Sequence, residues 1–190
     1  MSILILISFF FLVFVFLLAF LWLVVPAFYG PPSVPTNLNR IRTALQLANL
    51  KPDETFYDLG AGDGRALLVA AREFNAKAVG IEIGPVQCAL VYLRAVASGL
   101  GSRIQIKWGN YLKADLSRAD VVFVYATSKE VARLAPHLEK QMKSGARLVS
   151  ISADFLEWEP SAVDERELIF VYEMPAKPGS YTTYRLKKST

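Results

Sequence analysis

The amino-acid sequence predicts an α/β protein in which one apolar N-terminal helix precedes a doubly wound, Rossmann-like sheet. Two patterns lead to this prediction. Strand-like and helix-like segments alternate from residue 55 onward, as they do in chains of βαβ units. The runs at 78–81 and 121–124 are continuously apolar, as expected for central strands covered on both faces.

The N-terminal segment predicts a transmembrane helix. Residues 3–25 are apolar and uncharged apart from the single polar Ser8, and about 20 apolar residues suffice to cross a bilayer core. A signal peptide has a basic start and a shorter apolar region, and neither is found here. Arg40 and Arg42 follow the segment, which predicts that the following domain lies on the cytoplasmic side, or in the matrix of a mitochondrion.

A proline-rich connector is predicted to follow the apolar helix. Four prolines and Gly30 lie within residues 26–35, and they end the helix and favour an extended chain. Asn37 is positioned to cap a helix over 38–49. The chain therefore divides into a transmembrane anchor at 1–26, a connector at 27–37 and a folded domain at 38–190.

The folded domain is predicted to end in an antiparallel hairpin. Strands are expected near 55–59, 78–82, 104–108, 120–125, 146–152, 167–174 and 181–186, helices near 65–75, 86–98 and 128–142, and a short helical or irregular turn at 111–118. No helical pattern separates the last two strands, and the link at 175–179 contains two prolines and a glycine. These two strands are therefore expected to pair with each other.

Composition argues against several classes of function. The net charge is +4, but the basic residues are scattered and no basic run is interleaved with aromatic residues, so no nucleic-acid partner is expected. The single Cys88 permits no intrachain disulfide. His137 is the one histidine and lies in a helical pattern, so neither a metal site nor a catalytic triad is expected.

Residues 58–64 (DLGAGDG) predict a ligand-binding turn between a strand and a helix. Glycines at this point let the backbone approach a ligand and adopt positive φ, and the N–H groups of the helix start face the same space. Arg65 occupies the position of the third glycine in a dinucleotide-binding pattern. Asp58 and Asp63 place carboxylates where a pyrophosphate would lie, which favours a ligand that carries an amine or a sulfonium.

Three further strand ends carry residues suited to binding, since ligands of open α/β sheets lie beyond the carboxyl ends of the strands. Glu82 is about 20 residues past the glycines, where a carboxylate binds the two ribose hydroxyls of a nucleoside. Asn110 and Tyr111 follow the third strand and suit an adenine ring. Tyr125 ends the fourth strand, where it lines a substrate channel or caps the core.

Together these positions resemble the class I S-adenosylmethionine-dependent methyltransferases, over residues 54 to about 186. The resemblance rests on residues 58–64, on Glu82 and on Asp120, which begins the fourth strand; Asn110 replaces the acidic residue more usual at the adenine position. It implies a seven-stranded methyltransferase sheet with a terminal antiparallel hairpin and S-adenosyl-L-methionine as the cofactor. The implied cofactor site comprises Thr36, Asp58, Gly60, Ala61, Gly62, Asp63, Gly64, Glu82, Ile83, Asn110 and Tyr111.

With the anchor and residues 34–36 (VPT) added, the chain resembles the membrane-anchored protein-lysine methyltransferases, whose mitochondrial members modify ATP synthase and the adenine nucleotide translocator. In that family the Pro-Thr segment lies next to the cofactor, which implies that Pro35 and Thr36 help to close the site. The expected function is methylation of lysine in a membrane-associated protein by an enzyme anchored in the bilayer.

Alternatives to lysine methylation stay open at this point: methylation of a lipid or quinone, and a non-catalytic cofactor-binding scaffold. A lysine substrate must lose a proton before it accepts a methyl group. The acceptor of that proton is left open among Asp63, Tyr125 and Asp154.

Overall fold

The computed structural model describes residues 3–27 and 36–188 of the chain, with side chains for 3–21 and 36–188. Most of the predicted connector, including Pro35, lies outside these residues. The helices are α1 Ile3–Ala27, α2 Leu38–Leu47, α3 Arg65–Glu73, α4 Pro85–Ala97, α5 Ser128–Gln141 and α6 Tyr181–Lys188, and a short 3₁₀ helix spans Tyr111–Lys113. The strands are β1 Thr55–Leu59, β2 Lys77–Glu82, β3 Ile104–Trp108, β4 Val121–Tyr125, β5 Arg147–Ile151, β6 Trp158–Glu159, β7 Ala162–Asp164, β8 Ile169–Glu173 and β9 Lys177–Pro178.

A seven-stranded mixed sheet, in the order β3-β2-β1-β4-β5-β8-β7, organises the domain. Strands β1 to β5 are parallel, whereas β8 is antiparallel to both β5 and β7. The strand order reverses between β1 and β4, so the loops after these two strands open a crevice at one edge of the sheet. The predicted doubly wound α/β fold is confirmed.

The two faces of the sheet are covered by different elements. Helices α2, α3 and α4 pack on one face, with Ile41, Leu67 and Val91 among the buried side chains. Helix α5 and the segments around Leu116 and Phe155 cover the other face. Because both faces are covered, the central strands are apolar throughout, as their sequence indicates. No residue of α1 belongs to either core cluster among the described residues.

The antiparallel hairpin exists, but its position was predicted wrongly. Residues 181–186 form part of α6 rather than a strand, and the strand that pairs with β8 is β7, which precedes it. Ser180 redirects the chain because its hydroxyl accepts the N–H of Thr183 at 3.2 Å, as in the first turn of a helix. Tyr181 then packs edge-on against Phe170, with 5.4 Å between ring centroids.

Local signals explain this error. The sequence at 181–184 (YTTY) has high strand propensity, which tertiary contacts override. Strand β7 has three residues, all half-buried, and one of them is Asp164, so it carries no pattern that distinguishes it from a loop. The proline-containing link was expected to be a hairpin turn, yet its Lys177–Pro178 pairs with Trp158–Glu159 as a separate small sheet.

Helix α1 begins at Ile3 and ends at Ala27, so it is about 37 Å long. Its Ile3–Leu21 part is long and apolar enough to cross a membrane, and none of it is buried inside the protein. Asn37 caps α2 as expected, because its side chain accepts the N–H of Asn39 at 2.8 Å.

Candidate functional site

The glycine turn after β1 is held against the neighbouring strand by backbone hydrogen bonds. The N–H groups of Gly60 and Ala61 both donate to the carbonyl of Ile81, at 2.9 and 3.1 Å. Gly60, Gly62 and Gly64 all have positive φ, between 54° and 91°, which L-residues rarely adopt. No atom lies within 4 Å of a Cβ built on Gly60, so the space above the turn is open.

Glu82 fastens this turn to the start of α4. One carboxylate oxygen accepts the N–H of Gly62 and the other accepts the N–H of Gly84, both at 2.8 Å. The side chain is 7% exposed. A carboxylate oxygen can accept two hydrogen bonds, so each oxygen of Glu82 retains capacity for a ligand hydroxyl while its position is fixed.

Asp58 is buried at the end of β1. Burial, then the nearby charges of Glu82 and Asp63, raise the pKa of its carboxyl to about 8. The group therefore carries its proton at neutral pH and is a hydrogen-bond donor as well as an acceptor. A cation placed beside the carboxyl group would lower its pKa and favour the ionised form.

Asp63 is paired with two arginines. Arg65 approaches its carboxylate to 2.7 Å and Arg94 approaches it to 3.3 Å. Burial pushes the pKa of Asp63 upward, but the hydrogen bonds from Arg65 and Arg94 outweigh burial, and the net pKa is lowered. Asp58 is thus neutral and Asp63 is compensated, so the expected repulsion of pyrophosphate by two free carboxylates does not hold in this structure.

Thr36 lies beside the glycine turn because Arg65 connects the two. The guanidinium of Arg65 donates to the carbonyl of Thr36 at 2.8 Å while it also pairs with Asp63. The segment before α2 therefore reaches the candidate site. Sequence reasoning named Thr36 but missed Arg65, which it treated as a departure from a glycine pattern.

The residues that the sequence predicts to bind adenine follow β3. Asn110 caps the 3₁₀ helix, its Oδ1 accepting the N–H of Leu112 at 2.9 Å. Tyr111 is half-buried, and burial and Glu130 raise the pKa of its hydroxyl. Trp108 is 72% exposed, and its indole N–H donates to the carbonyl of Ile83 at 2.8 Å. An exposed aromatic ring fixed at this corner is available to cover a base, and Trp108 was missing from the predicted site residues.

The predicted substrate side comprises the ends of β4 and β5, which pair in register through Tyr125 and Ile151. Arg40 of α2 reaches this corner, with its guanidinium carbon 5.7 Å from the centre of the Tyr125 ring. The same side chain donates to Ser152 Oγ at 3.0 Å and to the carbonyl of Glu167 at 2.8 Å. Asp154 follows β5 and is half-buried.

The three candidate proton acceptors have different surroundings. Asp63 is held by two guanidinium groups and its pKa is lowered, so it is a weak base. The ring of Tyr125 lies beside the cation of Arg40. Within the described residues, no cation pairs with the carboxylate of Asp154, whose charge acts on the buried hydroxyl of Tyr172.

Several further residues take part in the packing and hydrogen bonding of the fold. Phe155 and Trp158, which follow β5, stack with 4.4 Å between ring centroids and are buried, so they pack in the core. Asp120 lies at the opposite edge of the sheet, where it accepts the N–H of Thr55 at 2.7 Å and pairs with Lys143. His137 bonds to the carbonyl of Ala114 at 3.0 Å, and no metal-ligating cluster was found among the described residues.

Comparison with known proteins identifies the family. The sequence profile of the ANTKMT methyltransferase domain matches residues 58–162, more than half of the chain. The chain belongs to this family. The matched range contains the glycine turn, Glu82, the residues after β3 and the ends of β4 and β5, whereas Thr36 and Arg40 precede it and Glu167 follows it.

Several curated relatives are named as lysine methyltransferases. A protein-lysine N-methyltransferase of Saccharolobus islandicus is 37% identical over 133 residues, which cover 70% of this chain and 83% of that protein. A lysine N-methyltransferase of Caenorhabditis elegans, named for ATP synthase, is 31% identical, with 63% of each chain covered. The adenine nucleotide translocase lysine N-methyltransferase of the mouse is 28% identical over 73% of this chain. The chain spans 63% and 60% of the lengths of these two animal relatives.

Solved structures agree on the fold and the cofactor. An RNA methyltransferase from Salinibacter ruber, in complex with S-adenosyl-L-homocysteine, superposes with a TM-score of 0.73 at 32% identity, over 77% of this chain and 97% of that one. A geranyl diphosphate methyltransferase in complex with S-adenosylmethionine is 18% identical, with a TM-score of 0.56, and shows the shared fold alone. The family member described here is an S-adenosylmethionine-dependent methyltransferase.

Proposed function

We propose that this methyltransferase is anchored in a membrane by α1 and methylates lysine side chains of a membrane-associated protein. The observation that carries the proposal is membership of a family whose similar members are named protein-lysine N-methyltransferases. Helix α1 supplies the membrane element, because Ile3–Leu21 is long and apolar enough to span a bilayer and is not covered by the domain. An anchored enzyme meets a membrane substrate at high effective concentration.

The candidate site fits S-adenosylmethionine by its donor and acceptor set. The fixed carboxylate of Glu82 retains two acceptor positions for the ribose hydroxyls, and the open space above Gly60 admits a ligand against the backbone. Asn110, Tyr111 and Ile83 form the adenine side. Asp58 would hold the cationic end of the cofactor. When bound, the cofactor supplies a methyl group on a sulfonium centre.

The residues of the chain then have two tasks, to align the lysine amine and to remove its proton. Methyl transfer needs the two reacting atoms to be held about 3–3.5 Å apart. The ends of β4 and β5 are the fixed elements that would align the lysine amine. We assign the proton to Asp154. It is half-buried at that edge, and no cation within the described residues pairs with its carboxylate. Tyr125, beside Arg40, forms the wall of the lysine channel.

The proposed organisation of the chain follows from the same elements. Residues 1–26 form the anchor, 27–37 the connector and 38–190 the methyltransferase domain, which lies on the cytoplasmic or matrix side. Thr36 and Arg65 tie the connector to the glycine turn. The C-terminal end of the connector therefore lies at the edge of the sheet that carries the site.

Methyl transfer from radiolabelled cofactor tests the proposal. Membranes that contain the full chain are incubated with labelled S-adenosylmethionine, and the label is then followed into protein, organic-phase lipid and RNA. We expect a labelled protein band in which mass spectrometry finds methylated lysine. Glu82→Ala should abolish the label. Glu173→Gln is the matched control, because this exposed carboxylate lies at the opposite end of the sheet, and it should retain the label.

The other destinations of the label contradict the lysine proposal. Label in the organic phase would identify a lipid or quinone as the substrate. Label that is removed by ribonuclease would identify RNA, the class named for the Salinibacter ruber methyltransferase. Binding of the cofactor without label in any fraction would indicate a scaffold.

A further inference from the structure

Helix α4 has an outer face unlike that of the other helices of the domain. Its inner side buries Gln87, Val91 and Ala95 against the sheet. Its outer side presents Tyr92, Leu93 and Val96, which are 61%, 59% and 54% exposed. A surface helix usually places charged and polar residues on its outer face. Helix α4 is therefore apolar on both sides.

The neighbouring helices follow the usual rule. The exposed residues of α3 include Arg72 and Glu73, and those of α5 include Lys129, Arg133 and Lys140. The apolar outer face of α4 is thus a local property rather than the average character of the domain. The apolar side chains recur at helical spacing, so they form one continuous strip, which we call the α4 strip: Ala89, Tyr92, Leu93 and Val96. Contiguous exposed apolar surface of this kind marks an interaction site.

The position of α1 indicates what covers the strip. Helix α1 contacts α4, yet the side chains of Tyr92, Leu93 and Val96 stay more than half exposed with α1 in place. Helix α1 therefore does not itself cover the strip. Residues Ile3–Leu21 are also exposed on all sides. Both helices therefore carry uncovered apolar surface, and because α1 contacts α4, a lipid phase that surrounds α1 would reach α4.

The composition of the strip suits the boundary between headgroups and acyl chains. Tyrosine is enriched at membrane interfaces, where its ring is apolar and its hydroxyl remains hydrated. A helix that lies in the interface plane buries its apolar face about 5–10 Å into this boundary. Arg94 lies between the strip and Asp63 of the glycine turn, and 48% of its side chain is exposed, so a cation borders the strip.

We propose that the α4 strip lies on the bilayer surface and holds the catalytic edge of the domain at the height of the headgroups. This inference rests on the proposed anchoring of α1 and deepens it. Helix α4 begins at Pro85, directly after Glu82 and Gly84, so its contact with the membrane fixes the site edge relative to the bilayer. The substrate is accordingly a lysine that its own protein presents close to the membrane surface.

Lipid contact is measured on the full chain in nanodiscs of phosphatidylcholine and phosphatidylglycerol. Cys88 is replaced by Ser, and single cysteines are introduced as Leu93→Cys, Val96→Cys and, as the control on the opposite face of the sheet, Lys140→Cys. Each is labelled with an environment-sensitive fluorophore and quenched with spin-labelled lipid. We expect quenching severalfold greater at positions 93 and 96 than at 140. Equal quenching at all three positions would overturn the proposal, as would a blue-shifted but unquenched label at 93, which indicates a protein partner.

A second pair of variants links the strip to activity. Leu93→Glu should lower labelling of the membrane protein severalfold and leave the Kd of the cofactor unchanged, whereas Ala132→Glu, an exposed small residue of α5, should change neither. Unchanged labelling in Leu93→Glu would contradict the proposal.

Two further measurements on the same samples show whether the anchor, the methyltransferase activity or the α4 strip proposal has failed. Alkaline carbonate extraction reports the anchor, and label in methylated lysine reports the enzyme. A chain that resists extraction and labels protein, but shows no lipid quenching at 93, refutes the α4 strip alone. A chain that carbonate releases refutes the anchor and the strip together.

Discussion

The cofactor side and the substrate side of this site are built in different ways. On the cofactor side, the turn at 58–64 is held by backbone hydrogen bonds to the neighbouring strand and by the side-chain carboxylate of Glu82, all of 2.8–3.1 Å. On the substrate side, Arg40 from α2 brings together Tyr125, Ser152 and Glu167, residues that lie between 85 and 127 positions away along the chain. The first side depends on local spacing, and the second depends on how distant segments pack.

The difference explains why one methyltransferase fold accepts many substrates. The cofactor half is a short βα unit whose glycine and carboxylate positions are set by local spacing. The substrate half consists of loop ends and one helix that precedes the sheet, and loops vary without disturbing the core. Substitutions on the two sides should therefore separate cofactor binding from methyl transfer.

The largest expected effect is on the substrate side, at Asp154. If its carboxylate accepts the lysine proton, Asp154→Asn should lower kcat by about 10²–10⁴-fold, the range typical of a lost general base. The cofactor Kd should stay unchanged. The control is Glu157→Gln, an exposed carboxylate on the same loop. A kcat within a few-fold of the wild type, with an unaltered pH profile, would remove Asp154 from the mechanism.

A smaller effect is expected at Gly64, on the cofactor side. A Cβ at this position would lie 2.8 Å from Val91 Cγ2, and φ is +78°. Gly64→Ala combines left-handed strain with overpacking and should lower the free energy of unfolding by about 2–4 kcal/mol. Gly99→Ala is the matched control, since φ is +69° and no atom lies within 4 Å of its Cβ, and it should cost about 1–2 kcal/mol. Urea denaturation measures both, and equal losses would show that the contact with Val91 is unimportant.

The pH dependence of stability tests the neutral state of Asp58. Its pKa is raised to about 8 in the fold, so the unfolded chain loses this proton at lower pH than the folded chain does. Stability contributed by the protonated form is thus lost as pH rises from about 4 toward 8. In the cofactor-free protein, the free energy of unfolding should therefore fall by about 2 kcal/mol between pH 6 and pH 8 because of Asp58, and Asp58→Asn should abolish this fall.

Asp63 should contribute a pH dependence of stability opposite in sign to that of Asp58, and Asp63→Asn tests this in the same experiment. The pKa of Asp63 is lowered, so its stabilising contribution is present above the unfolded pKa and is lost as pH falls through the folded value. This variant should be less stable than the wild type at pH 6–8. Urea denaturation at several pH values measures both variants, and identical slopes for Asp58→Asn and the wild type would contradict a neutral Asp58.

The smallest expected effect concerns the packing of α2 on the substrate side. Arg40→Gln should lower kcat/KM for the protein substrate about five- to tenfold, roughly 1 kcal/mol, because Tyr125, the loop after β5 and the loop before β8 lose a shared contact. The cofactor Kd should not change. Arg42→Gln on the same helix removes an exposed ion pair with Glu73, which contributes little to stability because solvent screens it, and should leave kcat/KM intact. Equal losses in both variants would assign the effect to the stability of α2.

Much of the cofactor side was predictable because its signals are local. The spacing from the glycines to Glu82 fixes a βα turn and the next strand end, and parallel pairing then brings them together whatever follows in the chain. The charge state of that turn was not predictable. Arg94 reaches Asp63 from the following helix, and burial neutralises Asp58, so neither effect is visible in the motif.

The sequence by itself determined the alternation of strands and helices, the apolar N-terminal helix and the residues of the glycine turn, because periodicity and glycine positions act over short distances. Only the tertiary structure decided which strand forms the antiparallel hairpin, since Ser180 and Phe170 convert a strand-like segment into α6. It also brought Arg40 to Tyr125 and exposed the α4 strip. These contacts join residues far apart along the chain, and no local pattern records them.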